Sequence, residues 1–148
     1  MPVPFIVTPD RAPRPLNVVG EKITVLASSA QTAGYEIFLQ VGPAGSGPPP
    51  HSHPWDESFY VLRGEIACGI DQSDMIALAG TLVHVPAGRT HWFRFGKDGG
   101  EMLSMTSRDG ASRLFADFDR EISPVTPDLG KLIEIARRHG LGVVPPPS

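Results

Sequence analysis

The stretch Gly45-Ser46-Gly47-Pro48-Pro49-Pro50-His51-Ser52-His53-Pro54-Trp55-Asp56-Glu57, followed by Phe59-Tyr60-Val61-Leu62-Arg63-Gly64, decides how the rest of the chain is read. Residues two apart in an extended strand point to one face, so His51 and His53 converge on one point. Glu57 has the same parity, although Pro54 interrupts a regular strand between them. Two imidazoles and a carboxylate on one face form a hard-to-borderline metal site that lacks a fourth ligand. His91 and His84 both compete for that place. His91 starts a strand after the turn Pro86-Ala87-Gly88-Arg89-Thr90, where an antiparallel neighbour could set it opposite the first pair, and His84 stands just before Pro86. Spacing alone does not choose between them. His139 is set apart: it falls in the last turn of a helix, where the dipole favours a cation.

Outward from this stretch, the sequence breaks into short aromatic or β-branched runs. They are residues 35–41, 57–62, 65–70, 82–85, 91–95 and 101–106. Turn chemistry separates them at Arg63-Gly64, Asp71-Gln72-Ser73-Asp74, Ala79-Gly80, Pro86-Ala87-Gly88 and Lys97-Asp98-Gly99-Gly100. Many short strands with no helices between them predict an all-β antiparallel sandwich or barrel. Prolines cluster in residues 2–15, 43–54 and 124–147, which marks arms and turns rather than sheet interiors. The helical signal is C-terminal. Thr126 caps, Pro127 opens the first turn, and Leu129, Leu132, Ile133 and Ala136 share a face that ends before Gly140. A shorter helix is expected over 112–119. The organisation expected is an arm over 1–20, a barrel over 21–110 and a helical segment with a proline-rich tail over 111–148.

Composition removes several function classes. A chain of 148 residues is one domain, and 41% apolar residues suffice for a core. The net charge is −3 with no run of one sign, so neither a nucleic-acid stripe nor a polybasic membrane patch is expected. The single cysteine, Cys68, excludes a disulfide-stapled scaffold and is expected to be a small buried hydrophobe. The first residues lack the pattern of a signal peptide, no apolar span is free of prolines long enough to cross a membrane, and no segment ahead of the barrel is spare for a DNA-binding helix pair. A reducing cytoplasm is the expected setting.

The spacing Gly45-x5-His51-x-His53-x3-Glu57-x6-Gly64 resembles the first signature of the cupin superfamily. The spacing Gly80-x5-Pro86-x-Gly88-x2-His91 resembles the second. The resemblance implies a double-stranded β-helix, or jelly-roll barrel, with His51, His53, Glu57 and His91 holding one divalent metal in its mouth. His84 then lines the pocket or stands behind the ligands. The pattern departs from the family at Phe95, where Asn is usual, and at Thr81, where an acid often stands. The proline run before His51, the run Phe59 to Glu65, the helix beginning at Pro127-Asp128-Leu129 and the tail Pro145-Pro146-Pro147 are similar to single-domain cupins related to quercetin dioxygenases.

Three histidines and a glutamate leave coordination positions open on an octahedral ion, which suits iron, manganese, nickel, cobalt, copper or zinc. The expected function is that of a metal-dependent dioxygenase acting on a small aromatic or enol-containing molecule, with Glu57 also serving as general base. The alternative is a binding cupin without catalysis, or a metal-dependent isomerase. Parity with Glu57 and His91 places Phe59, Val61, Phe93 and Phe95 toward the pocket, with Leu103 and Met105 or their neighbours across from them. Trp55 is read as a lid aromatic, a surface anchor or a dimer contact. Tyr60, Leu62 and Trp92 face outward and are too apolar to stay wet, so either the N-terminal arm or the second subunit of a homodimer is expected to cover them.

Overall fold

Why the chain curls into a barrel is best seen in its two longest strands. The computed structural model describes residues 3–108 and 110–144, and within them β5 (Glu57–Ile70) and β8 (His91–Ser107) run antiparallel along almost their whole length. The pairing of Glu57 with Thr106 lies at one end and that of Ile70 with His91 at the other. Register shifts between Val61 and Arg63 and between Gly64 and Ile66 bend the ribbon. Gly64 sits at φ +83° with its Cα against the Gly99 carbonyl, where a Cβ would collide with backbone. Both the φ and the close approach require glycine there.

The two chain reversals expected at Arg63-Gly64 and Lys97-Asp98-Gly99-Gly100 are therefore bends inside continuous strands. Glycine-rich turn chemistry and a glycine bulge look alike in sequence, because both need positive φ or close backbone contact. The expected strands over 35–41 and 82–85 form as β3 (Tyr35–Gly42) and β7 (Leu82–Val85). Four strands escape the pattern: β1 (Leu16–Val18), β2 (Glu21–Ala27), β6 (Ser73–Leu78) and the two-residue β4 (His51–Ser52). So does β9 (Gly142–Val143), which pairs with β4.

The order along the sheet is β1-β2-β3-β8-β4-β9, with β5 beside β8 and flanked on its other edge by β6 and β7. Inside, Phe59, Val61, Ile66, Cys68, Val83, Val85, Phe93, Phe95 and Met102 form one buried cluster. Cys68 takes its expected place as a buried free thiol. A second cluster joins Val18, Ile23, Phe38 and Trp55 to the helices α2 (Ala111–Glu121) and α3 (Leu129–Arg138) through Leu114, Phe118, Ile122 and Ile135. A single-turn helix, α1 (Ser29–Thr32), precedes β3.

The helix α3 starts later than its sequence predicts. Asp128, not Thr126, is the N-cap, and its carboxylate accepts from the Lys131 N–H at 3.1 Å. A carboxylate outcompetes the upstream hydroxyl because it also opposes the helix dipole. The Thr126 hydroxyl instead turns toward Ser123. Arg138 and His139 bind the acids of α2, with His139 Nε2 2.6 Å from Asp117 and Arg138 2.7 Å from Glu121. These pairs hold α3 against α2, and give His139 its structural role. The tail Pro145-Pro146-Pro147 lies outside the described residues.

Candidate metal centre

The loop before β4 is pressed against β8. At Gly47, φ is +146° and a Cβ would fall on the Phe93 carbonyl. That contact delivers the three prolines and then His51, which pairs directly with His91 across β4 and β8. His53 follows after one residue, and its ring stacks on Trp55 with centroids 4.5 Å apart and planes 11° from parallel. Trp55 is thus buried, wedged between His53 and the backbone of Gly110. It is neither a surface anchor nor an exposed lid.

His51, His53 and His91 present ring nitrogens that all lie within 4.8 Å of one another, so the three could hold a metal ion. Each Nδ1 is fixed by a backbone carbonyl two residues away: Pro49 at 2.8 Å for His51, Trp55 at 2.9 Å for His53, and Arg89 at 3.0 Å for His91. A carbonyl can only accept, so each Nδ1 carries hydrogen and each Nε2 is left for the site. Glu57 Oε2 lies 3.1 Å from the Nε2 of both His53 and His91. For those contacts to be hydrogen bonds, an Nε2 must carry a proton as well. A divalent cation would replace that proton with the same charge pattern, which is the fit expected of a metal site.

The electrostatics agree. Burial and the neighbouring His91 push the His51 pKa down to about 4, so its imidazole is neutral at ordinary pH, with the Nε2 lone pair unprotonated. Burial alone would raise the Glu57 carboxyl, but the hydrogen bonds from His53 and His91 overcome it and hold the group well below the usual carboxylate range. Burial opposes charge on His91 too, yet the Glu57 carboxylate wins and raises it.

His51, His53 and Glu57 open into a cavity of about 640 Å³, with His91 behind them. Its wall is largely apolar: Ile23, Trp55 and Phe93 from the barrel, and Leu114, Phe118 and Leu132 from the two helices. This volume falls within the range that small-molecule sites occupy. Of the residues expected to line it, Phe93 does so, while Phe59, Val61 and Phe95 belong to the packed cluster of the barrel interior. Phe95 fills the space beside Gly42, where the usual Asn would leave a gap.

His84, Leu103 and Met105 are corrected outright. All three side chains stand on the outer face, with Leu103 36% and Met105 47% exposed. Ser104 and Thr106, their neighbours on β8, point inward instead, since successive side chains alternate. His84 pairs with Ser58 across β5 and β7, and its Nδ1 lies 2.8 Å from the Ser58 hydroxyl. It has the opposite parity to Val83 and Val85, which fill the interior.

Sequence reasoning missed the polar wall that continues from Glu57. Glu21, Gln40 and Thr106 line the same cavity and are all buried. Gln40 donates to Glu21 at 3.0 Å and accepts from Ser104 at 2.6 Å. Burial pushes the Glu21 pKa up to about 8, against the opposing hydrogen bond from Gln40. The signal was present in the alternation of Glu21 and Ile23 along β2, had that strand been recognised.

Comparison with known proteins agrees with this architecture. The cupin domain family matches residues 38–106, which hold all four polar groups of the centre. No curated protein matches the chain. Among solved structures, KdgF from a Halomonas species superposes with a TM-score of 0.67 at 14% identity, covering 74% of this chain and 99% of that one. An RmlC-like cupin from Shewanella frigidimarina gives 0.63 at 18% identity, over 71% and 91% of the two chains. The polyketide cyclase RemF from Streptomyces resistomycificus gives 0.60 at 17% identity, over 71% and 80%. At these identities the likeness is one of fold. Residues 38–106, with the cupin spacing filled by His51, His53, Glu57 and His91, thus carry a cupin domain within a curled antiparallel barrel.

Proposed function

We propose that the protein is a metal-dependent dioxygenase acting on a small aromatic or enol-containing molecule, with His51, His53, Glu57 and His91 as the metal ligands. The observation that carries this reading is the cluster of three imidazoles beside a large, mostly apolar cavity that His51, His53 and Glu57 line. A divalent transition ion there would supply open coordination positions for the substrate and, if redox-active, electrons for reaction with dioxygen, the oxidant.

The chain's own residues supply the rest. The apolar wall of Ile23, Phe93, Leu114, Phe118 and Leu132 excludes water and takes up an aromatic or aliphatic body. Glu57 takes the proton of the reacting substrate hydroxyl. Its Oε2 is within hydrogen-bond distance of two imidazoles, and the carboxylate serves as base when it swings off the ion. The three imidazoles cannot share this role, because their Nε2 lone pairs are the ones directed at the ion.

The same reading includes a homodimer. Tyr60 and Leu62 remain 43% and 46% exposed on the outer face, beside Leu82 and Met105. The arm residues Val3, Pro4 and Phe5 line a cleft with Tyr35, Ile37 and Leu103. A second copy on the outer face would bury Tyr60 and Leu62; a monomeric mass by light scattering would refute this.

The iron, manganese, nickel and cobalt forms, offered a panel of flavonols and β-diketones while oxygen uptake is followed, test the reaction. The proposal expects stoichiometric oxygen consumption with at least one pair. Turnover of substrate without oxygen uptake would point instead to a metal-dependent isomerase, and binding without turnover to a binding cupin.

A further inference from the structure

The polar lining of the cavity extends beyond the residues proposed as metal ligands. Along the inner wall, Thr106 is the cross-strand partner of Glu57 on β8, and Gln40 and Glu21 continue the polar row on β3 and β2. Thr106 is 2% exposed, and its hydroxyl has no hydrogen-bond partner among the described residues. A buried hydroxyl without a partner costs free energy, so a structure keeps one where something else completes it.

Glu21 lines the same cavity and commits one carboxylate oxygen to the protein. Its Oε1 accepts from the Gln40 amide at 3.0 Å, and Gln40 is itself locked by Ser104. Among the described residues Glu21 has no second hydrogen-bond partner, which leaves Oε2 free. Because Oε1 is the acceptor, the proton of the neutral acid belongs on Oε2, where it can be donated to a ligand oxygen. The burial that raises Glu21 favours this neutral form.

We propose that Glu21, held by Gln40, and Thr106 form a second recognition point that binds an uncharged hydroxyl or carbonyl oxygen of the substrate, distinct from the oxygen that reaches the metal ligands. The substrate is accordingly a molecule with an apolar body and at least two oxygen functions. A carboxylate at the second point would face the acids Glu57 and Glu21, while Arg137 of α3 is the cation on the helical wall of the cavity. Glu21 and Thr106 thus determine specificity, a role that rests on the metal-centre reading only for the position of the first oxygen.

The test titrates the full chain with 2-hydroxyacetophenone and with the four isomers that carry one further ring hydroxyl. Cobalt-loaded and metal-free protein are compared. At least one isomer should bind about fivefold more tightly than the parent, the scale of one well-made hydrogen bond. That gain should vanish in Thr106→Val and in Glu21→Leu and return in Thr106→Ser, each read as the ratio to the same variant's affinity for the parent. Thr106→Val gives up no hydrogen bond, so it folds as the wild type does. The proposal is overturned if no isomer exceeds the parent, or if the gain survives both substitutions. If the protein takes no cobalt but the gain is present in the metal-free chain and lost in the variants, the metal reading fails and this one stands.

Discussion

Replacing Glu21 by Gln should make the metal-free protein more stable, and the gain should grow with pH. The folded state holds the Glu21 carboxyl at a pKa of about 8, against an ordinary value of 4.5. Between those values the folded chain binds a proton that the unfolded chain has lost, so stability falls as pH rises through the window. Each unit of difference is worth about 1.4 kcal/mol. At pH 7 the cost is therefore on the order of 3 kcal/mol. The amide introduced by Glu21→Gln cannot ionise, and its oxygen can still accept from Gln40. In a chain of this size that difference corresponds to a rise in Tm of roughly 6–12 °C near neutral pH, shrinking to almost nothing near the ordinary carboxylate value. Thermal unfolding of wild type and variant, each with chelator present and followed from acid to mildly alkaline buffer, measures it. Chelator matters, because a bound cation would draw Glu21 toward its ionised form. A Tm difference that does not change with pH, or a variant less stable at pH ~8, would refute the reasoning.

Three further substitutions probe the site and its supports. Glu57→Gln keeps the shape and an oxygen ligand but not the basicity, so it should retain metal and lose ~10²–10⁴-fold in turnover; near-normal oxygen consumption would leave Glu57 a ligand only. Gly47→Ala forces a Cβ onto the Phe93 carbonyl at a φ that L-residues avoid. It should cost about 1–3 kcal/mol in chemical denaturation and weaken metal binding, since the displaced loop carries His51. Trp55→Ala removes the ring that fills the space between His53 and Gly110, and should destabilise by about 3–5 kcal/mol while lowering metal affinity through a loosened His53.

Much of this protein can be read from its sequence where a local rule and the fold agree. The alternation His51-Ser52-His53 puts both imidazoles on one side, as strand geometry demands, although β4 itself is only two residues long. What brings His91 opposite His51 is a long-range pairing, which spacing cannot fix; the family resemblance supplied it. Leu103 and Met105 fell on the wrong face because the bulge near Gly99 and Gly100 resets the parity between His91 and the end of β8. The strand β2 hid behind Glu21, Lys22 and Thr24, polar residues that lower its apolar signal, yet Glu21 and Thr24 are buried. Buried polar residues follow tertiary demand rather than pattern, and here they lie at the site. The helices α2 and α3 were legible as helices from their apolar spacing. Their service as a wall of the cavity was not, because it depends on where the chain returns to the barrel.

The central claim is that His51, His53, Glu57 and His91 hold one divalent ion. Elemental analysis of the purified full chain beside His91→Ala and His139→Ala tests it most directly. Wild type and His139→Ala should each carry one ion per chain after loading, since His139 only pairs with Asp117 at the far side of α2. His91→Ala should carry none, having lost both the ligand and the partner of Glu57. One ion per chain retained in His91→Ala would contradict the account.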